Sequence, residues 1–285
     1  MVIEAVEERR SLRGEFMDRL TQELPARELG RIEAMLAIWC RETQPELQPL
    51  QGMLHDTWMP GLSTTAWFEP EAFDFIAELE RHYEATRRGY YEALTHRRLL
   101  YYSNDPLSGV NRRVPHFPEG WKQFPLAHAT RVYPDNLAYF PFLARLHRRL
   151  VQEERAPKTL SFLVIEPNTI IRDHVDPKNF FVTIQFGISV PAGDCFLRAG
   201  PTKHAWQPGK CFAFDNSFYH SAWNYTGEDR IVLAIHTYHP QLTRTERRAL
   251  DLLARSYQLA ATTRRLEGNS GLEGHNGLDD YNPWC

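Results

Sequence analysis

The part of the sequence that most constrains the fold lies between residues 160 and 238, where short apolar runs alternate with turns. Five runs rich in valine, isoleucine and phenylalanine occupy residues 160–165, 180–190, 195–198, 210–214 and 230–238. Turns rich in proline, glycine and asparagine separate the runs, and no helical pattern lies between them. Strands that follow one another without helices cannot form βαβ units. We therefore predict an antiparallel sandwich or jelly-roll barrel, mainly β, with helices only at its flanks.

Helical patterns flank this region on both sides. The first 45 residues carry an apolar stripe at spacings of three and four, which is typical of a helix that packs on a core. The stripe consists of Leu29, Ile32, Met35, Leu36 and Trp39. Further helices are predicted for residues 71–98, 139–155 and 243–265. The predicted organisation is a helical extension over residues 1–50, a β domain with flanking helices over residues 51–265 and a mobile tail over residues 266–285.

Two irregular stretches interrupt the helical patterns. Residues 45–70 contain four prolines and are predicted to form an extended connector. Residues 103–138 contain five prolines and are predicted to form a loop with short strands, a type of segment that often serves as a lid or binding loop. Polar side chains of this loop are candidates for gripping a substrate: Arg112, Arg113, His116, His128 and Arg131.

Composition excludes several classes of protein. The net charge is −3, without the basic excess of a nucleic-acid-binding protein, so no nucleic-acid partner is expected. Apolar runs do not approach the roughly 20 residues that a membrane helix needs, so no membrane partner is expected. Residues 1–13 are highly charged and lack the apolar region of a secretory signal. The four scattered cysteines fit free thiols in a reducing cytosol, so we predict a cytoplasmic protein.

Two histidines and one aspartate in the strand-rich region form a candidate metal site. His174 and Asp176 are separated by one residue, so in extended backbone both side chains point to the same side. His220 lies in a later strand segment, as a barrel requires if its walls converge on one ion. Two imidazoles and a carboxylate can hold divalent iron on one face and leave the opposite face open. We predict His174, Asp176 and His220 as the metal-binding and catalytic residues.

Arg230 opens the last strand-like run, ten positions after the second histidine of that set. An arginine can bind a carboxylate through two parallel hydrogen bonds, so we predict that Arg230 binds an acidic ligand near the metal. The simpler alternative is a surface ion pair with Glu228 or Asp229. His236 and His239 lie three residues apart and are predicted to serve packing and hydrogen bonding rather than a second metal site.

Together these residues make the sequence resemble the aspartyl/asparaginyl β-hydroxylase family. The resemblance covers about residues 55–250 and is most specific between residues 214 and 230. The residues that carry it are Pro167, His174, Asn179, Gly187, Val190-Pro191, Cys195, Trp206, Gly209-Lys210, Phe214-Asp215, Ser217, His220, Trp223-Asn224, Arg230 and His239-Pro240. Upstream, Met59-Pro60-Gly61-Leu62 and Trp67 are also similar to what precedes the core of that family.

The resemblance implies a double-stranded β-helix, or cupin barrel, that depends on Fe(II), 2-oxoglutarate and O2. The implied reaction hydroxylates an unactivated carbon of an amino acid, a peptide residue or an amino-acid-derived natural product, with succinate and carbon dioxide as co-products. The expected partner is therefore a small-molecule or peptidyl amino-acid substrate. The resemblance also implies that His174 and His220 bind iron and that Arg230 holds the distal carboxylate of 2-oxoglutarate.

The sequence departs from the family at four positions. Asp176 stands where the best-known members have glycine, which restores the two-histidine, one-carboxylate set of other 2-oxoglutarate oxygenases. Leu163, Thr183 and Gln185 occupy positions where the family binds its cosubstrate with serine, arginine and histidine. Thr183 and Gln185 can still hydrogen-bond a carboxylate and are predicted to contribute to cosubstrate binding. Arg230 is expected to carry most of the recognition.

Two other functions remain open from the sequence. The first is a cupin-type metal enzyme that does not use 2-oxoglutarate, because the charged cosubstrate contacts are reduced. The second is a non-catalytic binding or assembly protein on a cupin barrel, with the N-terminal helices as its interaction surface. Those helices are compatible either with a homodimer or with a cap on the barrel.

Overall fold

The structure is a computed structural model that describes residues 2–53, 56–95, 120–128, 131–155, 158–176 and 178–266. Within these ranges the helices are α1 (Val2–Glu23), α2 (Gly30–Trp39), α3 (Ile76–Arg81), α4 (Tyr83–Thr95), α5 (Pro134–Leu137), α6 (Pro141–Gln152) and α7 (Arg244–Leu266). The strands are β1 (Trp67–Phe68), β2 (Trp121–His128), β3 (Arg131–Val132), β4 (Thr159–Ile165), β5 (Thr169–His174), β6 (Phe181–Ser189), β7 (Cys195–Ala199), β8 (Thr202–Ala205), β9 (Cys211–Asp215), β10 (His220–Asn224) and β11 (Arg230–Tyr238). The predicted tail beyond residue 266, and Arg112, Arg113 and His116 of the predicted binding loop, lie outside the described residues.

Two antiparallel sheets form the centre of the fold. The larger has the strand order β1-β9-β6-β11-β4-β2-β3, and the smaller has the order β5-β10-β7-β8. From β4 onward the chain winds between them, so that β4, β6, β9 and β11 lie in the larger sheet and β5, β7, β8 and β10 in the smaller. This eight-stranded winding is the double-stranded β-helix of jelly-roll and cupin proteins. The predicted fold class is therefore confirmed.

The two sheets enclose a shared apolar interior because side chains alternate along each strand. On β11, Val232 packs with Ile171 and Leu197 of the smaller sheet, whereas its neighbours Ile231 and Leu233 pack on the opposite face. Even-numbered residues of β11 therefore face the barrel interior. Helices α3, α4 and α6 cover the opposite face of the larger sheet. Burial on both faces explains why residues 231–235 of β11 form a continuous apolar run rather than an alternating one.

The N-terminal helices α1 and α2 pack with α7 against one end of the barrel. All five residues of the predicted apolar stripe are buried, and they share one cluster with Phe180, Phe181 and Tyr238. Removing a side chain of this size from water stabilises a fold by about 1.5–3 kcal/mol. In addition, Arg31 of α2 makes an ion pair at 2.6 Å with the buried Glu246 of α7. The stripe is thus the packing face predicted from its spacing, and it is used within the chain.

The predicted continuous helix over residues 71–98 is wrong, because the chain forms α3 and α4 with a break at His82. There the backbone leaves the helical region (φ −97°, ψ 17°), and the His82 amide donates to the Leu79 carbonyl at 3.1 Å. The His82 ring stacks on Phe142 with 3.7 Å between centroids, and its Nδ1 lies 2.9 Å from the Glu78 carbonyl oxygen. Tertiary stacking and a local side-chain contact thus replace the regular helical hydrogen bond.

The loop with short strands predicted over residues 103–138 is confirmed only in part, because the described part has the two-residue strand β3 but more regular structure than expected. That part contains the eight-residue strand β2, which pairs along its length with β4, and the helix α5. The pairing is irregular between Pro125 and Ala127, where a proline without a donor can be accommodated. Gln123 of β2 donates from Nε2 to the Ser161 hydroxyl of β4 at 2.9 Å. The stretch therefore widens the larger sheet.

Two general expectations can be compared with the structure. Cys40, Cys195 and Cys211 are buried free thiols, as predicted, and Cys285 lies outside the described residues. Among the helices of the described ranges, none combines the length and apolar character that crossing a membrane requires.

Candidate metal centre

His174 and His220 are neighbours across the smaller sheet. His174 ends β5, His220 begins β10, and the two residues are directly opposite each other in the antiparallel register. Residues in this relationship project their side chains from the same face of a sheet. The ring centroids lie 4.1 Å apart. The pairing of β5 with β10 therefore brings together two imidazoles that are distant in sequence.

Asp176 completes the cluster from the segment that follows β5. Ligand atoms of His174, Asp176 and His220 all lie within 4.8 Å of one another. Asp176 does not lie on the strand itself, so its position depends on contacts with the β9–β10 loop. Its amide donates to the Asn216 carbonyl at 2.9 Å, and its Oδ2 accepts from Asn216 Nδ2 at 2.7 Å. The structure thus brings together all three residues of the predicted metal site.

Backbone carbonyls orient both imidazoles. Nδ1 of His174 lies 2.7 Å from the Arg172 carbonyl oxygen, and Nδ1 of His220 lies 2.9 Å from the Phe218 carbonyl oxygen. A carbonyl oxygen can only accept, so each Nδ1 carries the proton and each Nε2 presents its lone pair. This is how proteins commonly fix the tautomer and direction of metal-ligating histidines.

Electrostatics favours the ligating forms of these groups. Burial and the neighbouring His174 lower the pKa of His220 to about 4, although the Asp176 carboxylate opposes them. Burial by itself would raise the pKa of Asp176, but the surrounding imidazoles and the Asn216 amide outweigh it and hold the pKa below its usual range. At neutral pH the cluster therefore combines a neutral His220 imidazole with an ionised carboxylate, as metal binding requires.

Segment 48–52 of the connector supports the loop between β9 and β10. Gly52 donates from its amide to the Ser217 carbonyl, and Leu50 accepts from the Tyr219 amide, both at 2.8 Å. Gln51 also donates from Nε2 to the Ser217 hydroxyl at 3.1 Å. Gly52 packs so closely against Val175 that an added Cβ would lie 3.0 Å from a valine methyl carbon. The connector thus contacts both sequence segments that form the site: the one around Val175 and the loop between β9 and β10.

Arg230 lies in the barrel interior, where its side chain is 1% exposed. Its guanidinium stacks on Trp206, with Cζ 4.3 Å from the ring centroid, and the Trp206 Nε1 donates to Gln185 Oε1 at 2.7 Å. Nε and Nη1 of Arg230 have no hydrogen-bond partner within the described part of the chain, and no ion pair joins Arg230 to Glu228 or Asp229 there. The surface ion pair considered from the sequence is therefore not formed among these residues.

One row of side chains crosses the larger sheet at the level of the metal cluster. Residues directly opposite one another on β2, β4, β11, β6 and β9 are His128, Thr159, His236, Thr183 and Phe214. Phe214 approaches His220 with 5.2 Å between ring centroids, so the row faces the cluster. The hydroxyl of Thr183 is buried without a hydrogen-bond partner among the described residues. Oγ1 of Thr159 lies 3.3 Å from Nδ1 of His128.

His236 is the site residue whose position sequence reasoning missed. Its imidazole belongs to the row that faces the metal cluster, and burial lowers its pKa against the opposing effect of the nearby Asp176 carboxylate. The strand register supplies the signal, because residue 236 shares the inner face with residues 230, 232 and 234. His239 does hydrogen-bond as predicted: its Nδ1 accepts from the Gln241 amide at 3.1 Å, and its Nε2 lies 3.3 Å from the Ser63 hydroxyl.

The unpaired polar atoms fit an acidic ligand beside a metal. Buried donors without partners are costly, so Nε and Nη1 of Arg230 and the hydroxyl of Thr183 mark where a carboxylate would restore hydrogen bonding. The donor set of two imidazoles and one carboxylate suits Fe(II) and related divalent ions with positions left open. Leu163 offers no polar group and packs on the apolar interior. Gln185 uses its carbonyl oxygen to hold Trp206.

The chain is similar to known proteins over the region that carries this site. The sequence profile of the family described as Aspartyl/Asparaginyl beta-hydroxylase matches residues 80–240, more than half of the chain. Aspartate beta-hydroxylase domain-containing protein 2 of Mus musculus is 30% identical over 204 residues, covering 68% of this chain and 57% of the relative. The Xenopus tropicalis protein of the same description is 28% identical over 199 residues, covering 68% and 52%. The chain therefore spans about half the length of these relatives.

Two further similarities are more limited. The Aspartyl/asparaginyl beta-hydroxylase of Homo sapiens is 29% identical over 91 residues, which is 32% of this chain and 12% of that protein. Among solved structures, HygX from Streptomyces hygroscopicus, described with nickel and 2-oxoglutarate bound, is 12% identical with a TM-score of 0.38. That comparison covers 56% of this chain and 80% of HygX, and a structural likeness this weak carries no conclusion about function.

Proposed function

The chain belongs to the aspartyl/asparaginyl β-hydroxylase family, and from this membership we propose that it is an Fe(II)- and 2-oxoglutarate-dependent oxygenase. The proposed reaction hydroxylates an unactivated carbon of an amino acid, a peptide residue or an amino-acid-derived natural product. Succinate and carbon dioxide are the co-products. The observation that carries the proposal is the coexistence, in one barrel, of the His174–Asp176–His220 cluster and a buried arginine with unpaired donors.

The metal ligands in this proposal are Nε2 of His174, Nε2 of His220 and a carboxylate oxygen of Asp176. When bound, Fe(II) and 2-oxoglutarate would provide the electrons that activate O2 for oxidation of a carbon–hydrogen bond. The protein's part is to hold both imidazoles in the ligating tautomer, through the Arg172 and Phe218 carbonyls. Two imidazoles and one carboxylate leave room for the cosubstrate and for O2.

The cosubstrate is proposed to bind between the cluster and Arg230. Arg230 can donate two parallel hydrogen bonds to its distal carboxylate, and Trp206 keeps the guanidinium in place by stacking. Thr183 lies on the row beside the metal cluster and has a free hydroxyl to donate. Gln185 contributes indirectly, because it fixes the indole on which the arginine rests. The apolar interior around them excludes water, which strengthens each of these contacts.

The substrate is proposed to bind on the other half of the row, over β11, β4 and β2. His236, Thr159 and His128 place hydrogen-bonding groups there, next to the metal cluster and away from Thr183. These groups suit a polar substrate such as an amino acid or a peptide residue, whether free or carried on a larger molecule. Arg131 instead lies with its guanidinium 4.8 Å from the Tyr133 ring, at the end of β2–β3 pairing.

The assignment of residues 1–50 as an extension, and of residues 51–265 as the oxygenase domain, is retained as part of this proposal. A homodimer through the N-terminal helices would have to use their polar faces, since their apolar stripe is buried within the chain. Three buried free thiols fit the proposed cytoplasmic location, where thiols stay reduced and iron stays divalent.

Anaerobic titration tests the proposal directly. Addition of 2-oxoglutarate to the Fe(II)-loaded protein should produce a weak metal-to-ligand charge-transfer band in the visible spectrum. Arg230→Ala should lose the band, whereas the control Arg244→Ala, which removes an exposed ion pair with Glu154, should keep it. No band from wild-type protein that demonstrably holds iron would contradict the use of 2-oxoglutarate.

A metal enzyme that does not use 2-oxoglutarate is the second candidate. Leu163 and Gln185 favour it, because the first is apolar and the second is already engaged by Trp206. This candidate predicts activity that survives Arg230→Ala. A non-catalytic scaffold is less compatible with the structure, since burying an arginine with unpaired donors costs stability and a scaffold gains nothing from it.

A further inference from the structure

Asn216 makes two reciprocal hydrogen bonds with Asp176. The Asp176 amide donates to the Asn216 carbonyl at 2.9 Å, and Nδ2 of Asn216 donates to Oδ2 of Asp176 at 2.7 Å. Asn216 itself is only 2% exposed and lies in the loop between β9 and β10, four residues before His220. One asparagine therefore holds both the backbone and the carboxylate of the same aspartate.

We propose that Asn216 is a positioning residue that fixes the Asp176 carboxylate as the third ligand of a divalent metal ion, alongside His174 and His220. The inference rests on the metal-binding part of the proposed function. It concerns a residue that does not itself contact the metal. Asn216 acts by holding one carboxylate oxygen, so that the other oxygen, Oδ1, is left as the ligand.

The orientation of the Asn216 side-chain amide supports this role. A carboxylate can only accept, so the Nδ2 end of Asn216 must face Asp176. That orientation leaves Oδ1 of Asn216 buried without a hydrogen-bond partner within the described residues. An unpaired buried acceptor costs free energy, so the side chain is not arranged to satisfy all of its own hydrogen bonds. Its orientation is set by the aspartate.

The location of Asp176 explains why such support is needed. His174 is held by the pairing of β5 with β10, but that pairing ends at His174. Asp176 follows two residues later and has no strand partner. In the described part of the chain, Asn216 supplies the hydrogen bond to its carboxylate. Without that bond the carboxylate would rotate freely and reach the metal position only part of the time.

The loop that carries Asn216 is itself well anchored. The Ser217 amide donates to Asp215 Oδ1 at 2.8 Å, and the Ser217 hydroxyl accepts from Gln51 at 3.1 Å. The Gly52 amide donates to the Ser217 carbonyl at 2.8 Å. These contacts fix the residue next to Asn216 without touching Asp176. Ser217 therefore provides a matched control, since its loss should affect the loop but not the carboxylate contact.

Metal affinity of the protein without cosubstrate tests the inference. Mn(II) is the probe, because it is stable in air and its binding is measured by electron paramagnetic resonance of the free ion. Asn216→Ala should weaken Mn(II) binding about 10- to 100-fold, the range typical for loss of a partner of a metal ligand. Ser217→Ala should leave the affinity within about threefold of wild type, since it removes one hydroxyl contact with Gln51 but keeps the backbone hydrogen bonds of the loop and the Asn216 contact with Asp176.

A double-mutant cycle separates positioning from a general effect on the fold. If Asn216 acts through Asp176, then Asn216→Ala should cause no further loss in an Asp176→Ala background. Asn216→Leu is the second variant, because it keeps the branched shape and the number of heavy atoms of the side chain and removes the unpaired oxygen. It should fold at least as well as Asn216→Ala, as judged by thermal unfolding of the metal-free protein, and should bind Mn(II) as weakly.

The outcomes are distinct. Wild-type affinity in Asn216→Ala or Asn216→Leu would overturn the inference while leaving the proposed function intact. An additive loss in the Asp176→Ala background would also overturn it, because the effect would not pass through the aspartate. No Mn(II) binding by the wild-type protein would overturn both the inference and the proposed function.

Discussion

The guanidinium of Arg230 lies over the indole of Trp206, with its Cζ 4.3 Å from the ring centroid, in the interior of the barrel. Burial lowers the pKa of Arg230 to about 9, which still leaves it charged at neutral pH. A cation–π contact compensates only part of the cost of burying such a charge. Burying Arg230 with unpaired donors therefore costs stability, as the proposed role in binding a carboxylate would explain.

Arg230→Met should separate stability from ligand binding. Removing the buried charge while keeping an apolar side chain should leave the free energy of unfolding of the ligand-free protein unchanged or raise it by about 1–4 kcal/mol. The variant should no longer be stabilised by 2-oxoglutarate in the presence of metal, since binding stabilises only the state that binds. Denaturant unfolding with and without 2-oxoglutarate measures both effects. A large loss of stability in the ligand-free variant would show that Arg230 is structural.

Asp176→Ala and His220→Ala should each abolish succinate formation, because either change removes one of three ligands. The measurement is succinate released by the Fe(II)-loaded protein with 2-oxoglutarate and O2. His204→Ala is the control, since His204 is exposed and stacks on Trp67 outside the cluster. Turnover at the wild-type rate in either ligand variant would refute the site assignment.

Asp215 should make stability fall as the pH rises. Burial raises its pKa to about 7, against the hydrogen bond from the Ser217 amide. The folded state therefore keeps a proton that the unfolded state loses above about pH 4, so the free energy of unfolding declines from about pH 4 to about pH 7 and then levels off. A shift of this size corresponds to about 4 kcal/mol.

Asp215→Asn removes the titrating group and keeps an oxygen for the Ser217 amide. The difference in unfolding free energy between wild type and Asp215→Asn, measured without metal from pH 4 to pH 8, isolates the contribution of this one group. The free energy of unfolding of the variant should increase relative to that of wild type as the pH rises. A difference that does not depend on pH would mean that Asp215 is ionised in the fold.

Gly52→Ala should disturb the metal site from outside it. The new Cβ would meet the Val175 methyl carbons at 3.0 and 3.1 Å, between the two ligands His174 and Asp176. Overpacking of this kind costs about 1–3 kcal/mol, and Mn(II) affinity should fall with it. Gly14→Ala in α1 is the control, because its Cβ would meet nothing within 4 Å. That change should stabilise the helix by about 0.5–1 kcal/mol. Equal effects of the two substitutions would contradict the proposed contact.

The sequence was sufficient to predict the barrel and the clustering of His174, Asp176 and His220, because both follow from local patterns. Runs of valine, isoleucine and phenylalanine mark strands that are buried on both faces. The spacing of His174 and Asp176 restricts their geometry over only three residues. The prediction for His220 required only that its strand lie close to the strand that carries His174, and the jelly-roll fold brings such strands together.

Other features depend on register and could not be read from local patterns. His236 lies in a strand that is buried on both faces, so its local sequence does not mark the inward face, which the pairing with Thr159 and Thr183 shows. Asn216 resembles an ordinary turn residue until Asp176 is placed next to it. The break at His82 depends on stacking against Phe142, more than 50 residues away in the chain. Each case is a tertiary contact that overrides or adds to a local preference.

The anchoring of the β9–β10 loop by segment 48–52 has a practical consequence for where this protein can be cut. The family profile begins at residue 80, so a fragment trimmed to residues 80–240 would contain His174, Asp176, His220 and Arg230. It would nevertheless lack the backbone and side-chain bonds from Leu50, Gln51 and Gly52 that hold the loop. We therefore expect the smallest fragment that preserves the site to begin before Gln48. A chimaera joined at residue 80 would contain all four of these site residues but would lack segment 48–52, which anchors the loop between β9 and β10.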